Sequence, residues 1–271
     1  MWYRFSQTFD KQQYCKDAVS KLFIFDIDET LFRTFAKIYV RCTDGTGITL
    51  DNQQLNSFDL DGYTKTKQLE NPQITCHYDF DEFKKADLFV ETSQPLQHMI
   101  RKLQNIQKNF ISKNAICGTQ SKIILNTARS DFDNVDLLKS YFLTYGIDIS
   151  EVHLHRAGEM PGKSSGERKN LLLEQKGYLD GPYEHFEFYD DSMDNLKKFL
   201  ELKRNYPNKN FVAKVVFPHD YPKQTATVTP ENFDAVYEEL QRALALHKAN
   251  HPEESDLPEN NPEVNNVVQN S

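Results

Sequence analysis

The chain has 271 residues, 38% of them hydrophobic and 27% charged, with a formal net charge of −8. Mean hydropathy is −0.68, and no stretch approaches the roughly 18 apolar residues that cross a bilayer as a helix. An acidic balance also argues against broad binding along a nucleic-acid backbone, though not against a local basic groove.

This length suits one large domain with an insertion, or two small ones. Residues 1–20 read as an N-terminal extension, and they lack the apolar segment of a signal peptide. Cys15, Cys42, Cys76 and Cys117 stand far apart with no CxxC pair. Isolated thiols fit a reducing compartment better than a disulfide framework or zinc site. The sequence therefore predicts free cysteines and a cytoplasmic protein with no membrane association.

Taken in chain order, Lys21–Ile27 (KLFIFDI) is a short, nearly unbroken apolar run, the mark of a strand buried on both faces of a parallel sheet. Residues 35–94 break the pattern. There IYVRC and ITL flank a Gly-rich turn and read as a hairpin, and DFDEFKKADLFVE reads as a short helix. A helix from Pro95 to about Asn109 returns the chain to the sheet. Further strands are expected at Ser121–Leu125, Glu151–His155, His185–Tyr189 and Phe211–Phe217. Helices are expected at Asp131–Tyr145, at Ser165–Gln175 and from about Ser192. Alternating strands and helices imply a doubly wound parallel α/β sheet. The core then spans residues 21–34 and 95–225, with 35–94 as a small flap or cap after the first strand. Thr229 as N-cap and Pro230 at the first position open a C-terminal helix within 226–249. Residues 250–271, rich in Pro, Asn and Glu, read as a disordered acidic tail.

Four segments carry chemistry, each at or just beyond a strand end. In FIFDIDETLF, Asp26, Asp28 and Thr30 follow the first strand, where ligands bind in doubly wound sheets. A carboxylate beside a divalent cation can attack phosphorus, and a second one can protonate the leaving oxygen and then activate water. The bland alternative is a solvated strand end or an Asp turn. In IILNTAR, the Thr127 hydroxyl and nearby N–H groups can grip a phosphate oxygen. Arg129 can reach the same phosphate or pair with Asp131. In GKSSGERK, Lys163, Arg168 and Lys169 offer cations to the transferring phosphoryl group, or simply form a solvated helix face. In FEFYDDSMDN, adjacent Asp190 and Asp191 repel each other unless a cation or hydrogen bonds compensate. With Asp26 and the Asp28 carbonyl they can hold Mg²⁺, with Asp194 and Asn195 placed to orient them. Asp191 or Ser192 capping the next helix is the competing account.

In combination, Asp26-Ile27-Asp28-Glu29-Thr30, Thr127, Lys163 or Lys169, and Asp190-Asp191 resemble the haloacid dehalogenase-like (HAD) phosphohydrolase superfamily. The paired acids and the HRAG stretch around Arg156 also resemble HAD-like proteins of tailed phages. The resemblance implies a Rossmann-like core, Mg²⁺ as cofactor, an aspartyl-phosphate formed on Asp26, acid/base action by Asp28 and support from Thr30. It gives the hairpin the place of the family's flap. Glu29 departs from the pattern, since many members have Gly there. Lys163 is favoured narrowly over Lys169 as the cation of the third motif, and Asp191 over Asp190 as direct metal ligand. Substrate phosphate is expected on Thr127, Arg129 and Lys163.

The leading expectation is a Mg²⁺-dependent phosphomonoesterase acting on small phosphorylated substrates such as nucleotides. A polynucleotide 3′-phosphatase-like enzyme acting on nucleic-acid ends, and a non-catalytic phosphate-binding or interaction protein, are the alternatives. Tyr78, Phe80 and Phe83, beside His77, form either an aromatic substrate wall or the insertion's own core. His153 and His155 share one side of their strand and read as packing or substrate contacts. Gly45 and Gly47 are turn glycines, with no Lys-Ser/Thr to complete a phosphate loop.

Overall fold

The computed structural model describes residues 10–50, 54–55, 58–148, 152–158, 160–162 and 164–252. The acidic tail beyond residue 252, residues 1–9 of the N-terminal extension and Lys163 lie outside these residues.

In chain order, helix α1 (Lys11–Cys15) precedes β1 (Lys21–Phe25). Next come β2 (Phe32–Arg33), β3 (Ile38–Cys42), β4 (Gly47–Leu50), α2 (Leu60–Gln68), β5 (Cys76–Asp79), α3 (Ala86–Thr92) and β6 (Gln94–Pro95). The second half runs α4 (Gln97–Cys117), β7 (Lys122–Thr127), α5 (Val135–Thr144), β8 (His153–Arg156), α6 (Ser165–Gln175), β9 (His185–Asp190) and α7 (Met193–Glu201). It closes with β10 (Asn210–Val216), β11 (Thr225–Val228) and α8 (Phe233–Asn250).

The main sheet has six strands in the order β11-β10-β9-β1-β7-β8. All neighbours are parallel except β10 and β11. The alternation of side chains along a strand divides β1 between two cores. Leu22 and Ile24 face the layer of α7 and α8, with Leu196, Phe199 and Leu240. Phe25 faces the layer of α3, α4 and α5, with Phe89, Met99 and Phe142. Leu22, Ile24 and Phe25 have no exposed surface, and each contributes roughly 1.5–3 kcal/mol on burial. That two-sided burial explains why the strand reads as a continuous apolar run.

Residues 35–94 leave and re-enter the core through the antiparallel β2–β6 pair, with Phe32 opposite Pro95. The expected hairpin is present as β3 and β4, and β5 joins β3 to complete a three-stranded antiparallel sheet. Ile38, Val40 and Leu50 form its small core, against which Tyr63, Tyr78 and Phe83 pack. Of the three aromatics read as either a substrate wall or the insertion's own core, Tyr78 and Phe83 pack in that core and Phe80 is exposed.

Some boundaries differ from expectation. Helix α4 runs on to Cys117, because no breaker intervenes before Gly118, which takes φ +70° as the left-handed cap. Helix α8 begins at Phe233 after the Asn232 cap. Thr229 instead accepts the Asn232 N–H in the preceding turn. The antiparallel edge strand β11 was not foreseen. Its segment TATV carries the alternating burial of a strand but lies close to the proline-rich stretch before it.

The cysteines correct the expectation of free thiols. Cys15 is bonded to Cys117 and Cys42 to Cys76. Cys15 ends α1 beside the last turn of α4, and Cys42 lies directly opposite Cys76 in the β3–β5 ladder. Sequence spacing cannot reveal such pairs, because only the fold brings residues 102 positions apart together. The argument for a cytoplasmic location, which rested on free thiols, loses its support.

Candidate active site

From β1 the chain builds β7 and β8 on one side, then crosses over to build β9 and β10 on the other. The boundary between β1 and β9 is therefore the topological switch point, where the carboxyl ends of parallel strands leave a crevice. Asp26 follows β1 directly, and its N–H donates to the Tyr189 carbonyl at 2.9 Å. Asp190 ends β9 and Thr127 ends β7. The strand pairing thus brings together the first, second and fourth motifs.

Lys169 supplies the cation. Its ammonium lies 2.9 Å from Asp26 Oδ1 and 2.7 Å from Asp190 Oδ2. The Asp190 contact is a hydrogen bond. The Asp26 contact is an ion pair off hydrogen-bond alignment, since Asp26 Oδ1 has no hydrogen-bond partner. Lys169 is 1% exposed. Burial alone would lower its pKa, but the charges of Asp190 and Asp26 outweigh that and raise it. Helix α6 places the lysine through its Ser164 cap, which accepts the Glu167 N–H at 3.2 Å, and through Gly166. A Cβ at Gly166 would meet Lys198 Cβ at 2.9 Å and Asn195 Cα at 3.1 Å. The missing side chain lets α6 and α7 approach closely enough for their residues to meet around Asp190.

Asp190 and Asp191 have different environments. Asp190 is fully buried and accepts from the Ser192 N–H at 2.9 Å and from Asn195 Nδ2 at 3.0 and 3.2 Å, besides Lys169. Asn195 thus takes the orienting role considered for it, while Asp194 is exposed. Ser192, not Asp191, caps α7. Among the described residues the Asp191 carboxylate has no hydrogen-bond donor.

Carboxylate oxygens of Asp26, Asp190 and Asp191 lie within 4.8 Å of one another. Burial, opposed by Lys169 and reinforced by Asp190 and Asp28, raises the Asp26 pKa to about 7. Burial first, then the charges of Asp190 and Asp26, pushes Asp191 well above the usual carboxylate range. One lysine does not neutralise three clustered acids. An all-oxygen set in which Asp26 Oδ1 is met only by the Lys169 ammonium, and Asp191 by no hydrogen-bond donor among the described residues, fits a hard divalent cation such as Mg²⁺.

Asp28 and Thr127 sit on the other side of Asp26. Arg129 donates to Asp28 from Nε at 2.9 and 3.2 Å and from Nη2 at 2.6 Å. Its Nη1 reaches the Phe83 carbonyl at 2.5 Å. The guanidinium also lies 4.7–5.1 Å from the ring centroids of Phe83, Phe89 and Phe132. Arg129 is 4% exposed, and the partners the structure gives its guanidinium are Asp28 and the Phe83 carbonyl. The other expected partner, Asp131, pairs with Arg156. Thr127 Oγ1 lies 3.5 Å from Asp28 Oδ2 and accepts the Arg129 N–H at 3.2 Å.

Glu29, where a glycine was expected by resemblance, has φ +54°. This is the left-handed conformation that glycine adopts most readily. Its N–H reaches the Phe32 carbonyl at 2.8 Å and its carboxylate accepts the Thr34 N–H at 3.0 Å. Thr30 is buried, and among the described residues its hydroxyl has no hydrogen-bond partner. His153 and His155 stack with ring centroids 6.2 Å apart. His155 contacts the Tyr178 hydroxyl at 2.7 Å, remote in sequence from the acids. Lys163 lies outside the described residues, and the sequence did contain a signal that Lys169 points inward. Lys169, Leu172 and Leu173 share the buried face of α6, and a lysine on an apolar stripe needs a buried partner.

No protein-family model and no curated protein matches the chain. Among solved structures, the HAD domain of the effector protein Lem4 from Legionella pneumophila, described as an inactive mutant, is similar at 12% identity and a TM-score of 0.40. The match covers 86% of this chain and 99% of that one. At that distance the site has to carry the functional reading. Among the described residues no helix is long and apolar enough to cross a membrane.

Proposed function

We propose that the protein is a HAD-like, divalent-metal-dependent phosphohydrolase that cleaves phosphate monoesters through an aspartyl-phosphate on Asp26. The observation that carries this reading is the Asp26–Lys169–Asp190–Asp191 cluster at the switch point of a parallel sheet. Asp26 and Asp191, with the Asp28 carbonyl, would hold Mg²⁺, which neutralises charge on the phosphoryl oxygens. Asp190 serves mainly to orient Lys169, since its oxygens are already engaged.

Asp26 attacks phosphorus in line, forming the new P–O bond as the ester P–O bond breaks. Asp28 gives its proton to the leaving oxygen, then takes one from the water that cleaves the acyl phosphate. Lys169 holds the buried carboxylates in place and adds positive charge beside the transferring group. Thr127 offers its hydroxyl to a phosphate oxygen. The sheet of residues 38–79 covers the crevice as a flap, and nucleotides are the first substrates to try. The paired cysteines favour an oxidising compartment over the cytoplasm.

The test is hydrolysis of an aryl phosphate and of a nucleotide panel, with Mg²⁺ or EDTA, by wild type and Asp26→Asn. Turnover that needs both Mg²⁺ and Asp26 supports the reading. Activity of Asp26→Asn near wild type sinks it. Phosphate-mimic binding without turnover on any ester would favour a non-catalytic role.

A further inference from the structure

A second cluster of metal-ligating side chains lies where the loop after β10 meets the end of α8. His219 and Asp220 come from the loop. His247 lies in the last turn of α8, and His251 follows one turn later. Nitrogen and oxygen atoms of His219, Asp220 and His247 lie within 4.8 Å of one another. The three imidazole rings converge, with centroids 5.2 Å apart for His219–His247, 5.6 Å for His219–His251 and 4.7 Å for His247–His251. Asp220 sits among them, with Oδ1 2.8 Å from His247 Nδ1 and Oδ2 3.5 Å from His251 Nε2. Asn250 Nδ2 is 3.3 Å from the same Oδ2.

We propose that His219, Asp220, His247 and His251 form a site for a borderline-soft divalent cation of the zinc class, separate from the carboxylate cluster. The ligand chemistry separates the two sites. Imidazole suits zinc, nickel, copper or cobalt, whereas the Asp26 cluster offers only oxygens, which suit magnesium. Four ligands with metal bonds of about 2.0–2.1 Å stand roughly 3.3 Å apart at the corners of a tetrahedron. His219, Asp220 and His247 already lie within 4.8 Å of one another, and His251 joins them through its 3.5 Å contact with Asp220.

The surroundings agree with this assignment. His247 is buried, with its Nδ1 held against Asp220 Oδ1 and its ring facing those of His219 and His251. The end of α8 presents the negative pole of its dipole to the site. Arg33 is the nearby opposing charge, and Asp220 is the carboxylate that offsets it. A cation here would tie α8 to the carboxyl edge of the sheet, next to the strand that neighbours β9.

The experiment titrates Zn²⁺, and Co²⁺ as a spectroscopic probe, into the full chain with its disulfides intact and millimolar Mg²⁺ present. One equivalent of each should bind. Co²⁺ should show the intense visible bands of a tetrahedral nitrogen–oxygen site, and a hundredfold excess of Zn²⁺ over Kd should raise the melting temperature by several degrees. His219→Ala, on an exposed loop residue, and the His247→Gln/His251→Gln pair should each weaken Zn²⁺ binding by about 100-fold or more. Asp191→Asn should leave it unchanged. Failure of wild type to bind either ion above the level of the His219→Ala variant would overturn the proposal. So would a Zn²⁺ affinity that Asp191→Asn removes and His219→Ala does not.

Discussion

Arg129 holds Asp28 through two nitrogens, with Nη2 2.6 Å from Oδ1 and Nε 2.9 Å from Oδ2, and the arginine side chain is only 2% exposed while that of Asp28 is 16% exposed. Three phenylalanines and a backbone carbonyl surround the guanidinium, so its position is fixed by packing as well as by charge. If Asp28 is the acid and base of the reaction, Arg129 aims it without touching substrate.

Arg129→Met should therefore lower kcat by about 100-fold, the size of effect expected when a catalytic group shifts by an ångström. KM should change little. Arg129→Lys should recover only part of the rate, because an ammonium cannot bridge both carboxylate oxygens. Steady-state kinetics on one aryl phosphate checks this. A rise in KM at constant kcat would instead place Arg129 on the substrate.

Lys169→Met tests the other cation. It leaves Asp26 and Asp190 buried without their counter-charge, and breaking such a pair costs about 3–5 kcal/mol. The loss should be largest near pH 8. It should shrink toward pH 5, where the Asp26 acid, already raised to about 7, takes up a proton. Urea unfolding at the two pH values gives the comparison. A loss independent of pH would mean that the lysine acts through the packing of its buried stem and not through its pairing with Asp26.

The same acid predicts how Mg²⁺ and pH interact. In the cation-free protein Asp26 titrates near 7, against 3.8 for an unperturbed carboxyl. Between those values the folded chain holds a proton that the unfolded chain releases, so stability falls as pH rises through that window. A bound divalent cation stabilises the ionised form and opposes the fall. The rise in melting temperature on adding Mg²⁺ should therefore be small at pH 5.5 and larger at pH 8, and Asp191→Asn should abolish it. Equal rises at both pH values, or rises unaffected by Asp191→Asn, would remove the cation from this cluster.

Much of this arrangement can be read from local pattern. The run ending at Asp26, the one ending at Asp190 and the one ending at Thr127 are each buried on both faces, and a parallel sheet puts their ends on one edge. Side-chain direction is harder. The segment from 163 to 169 contains three cations, and only the inward face shared with Leu172 and Leu173 singles out Lys169. The partner of Arg129 is set by Phe132 nearby and by Phe83 and Phe89, which lie forty or more residues earlier in the chain, so no local window contains the whole reason. The disulfides were missed for the same cause. Cys15 and Cys117 meet only because α1 folds back along α4, a tertiary event with no trace in their spacing.

Those two disulfides make a prediction of their own. Chain-entropy arguments assign about 5 kcal/mol to a link across 102 residues and about 4 kcal/mol to one across 34. Both are large beside the roughly 5–15 kcal/mol that holds a typical domain together. Their effects should separate in space. Cys42 and Cys76 lie within the small sheet, whose fully buried core includes only Ile38, Val40 and Leu50 among the described residues. Cys42→Ser/Cys76→Ser should loosen that sheet and expose residues 38–79 to protease while the six-stranded sheet persists. Cys15→Ser/Cys117→Ser should lower the melting temperature of the main sheet, since the link fastens α1 to the helix that covers β1 and β7. Thiol titration of the denatured, unreduced protein comes first and should find no free thiol. Four free thiols would return the cysteines to the reduced state and restore the case for a reducing compartment.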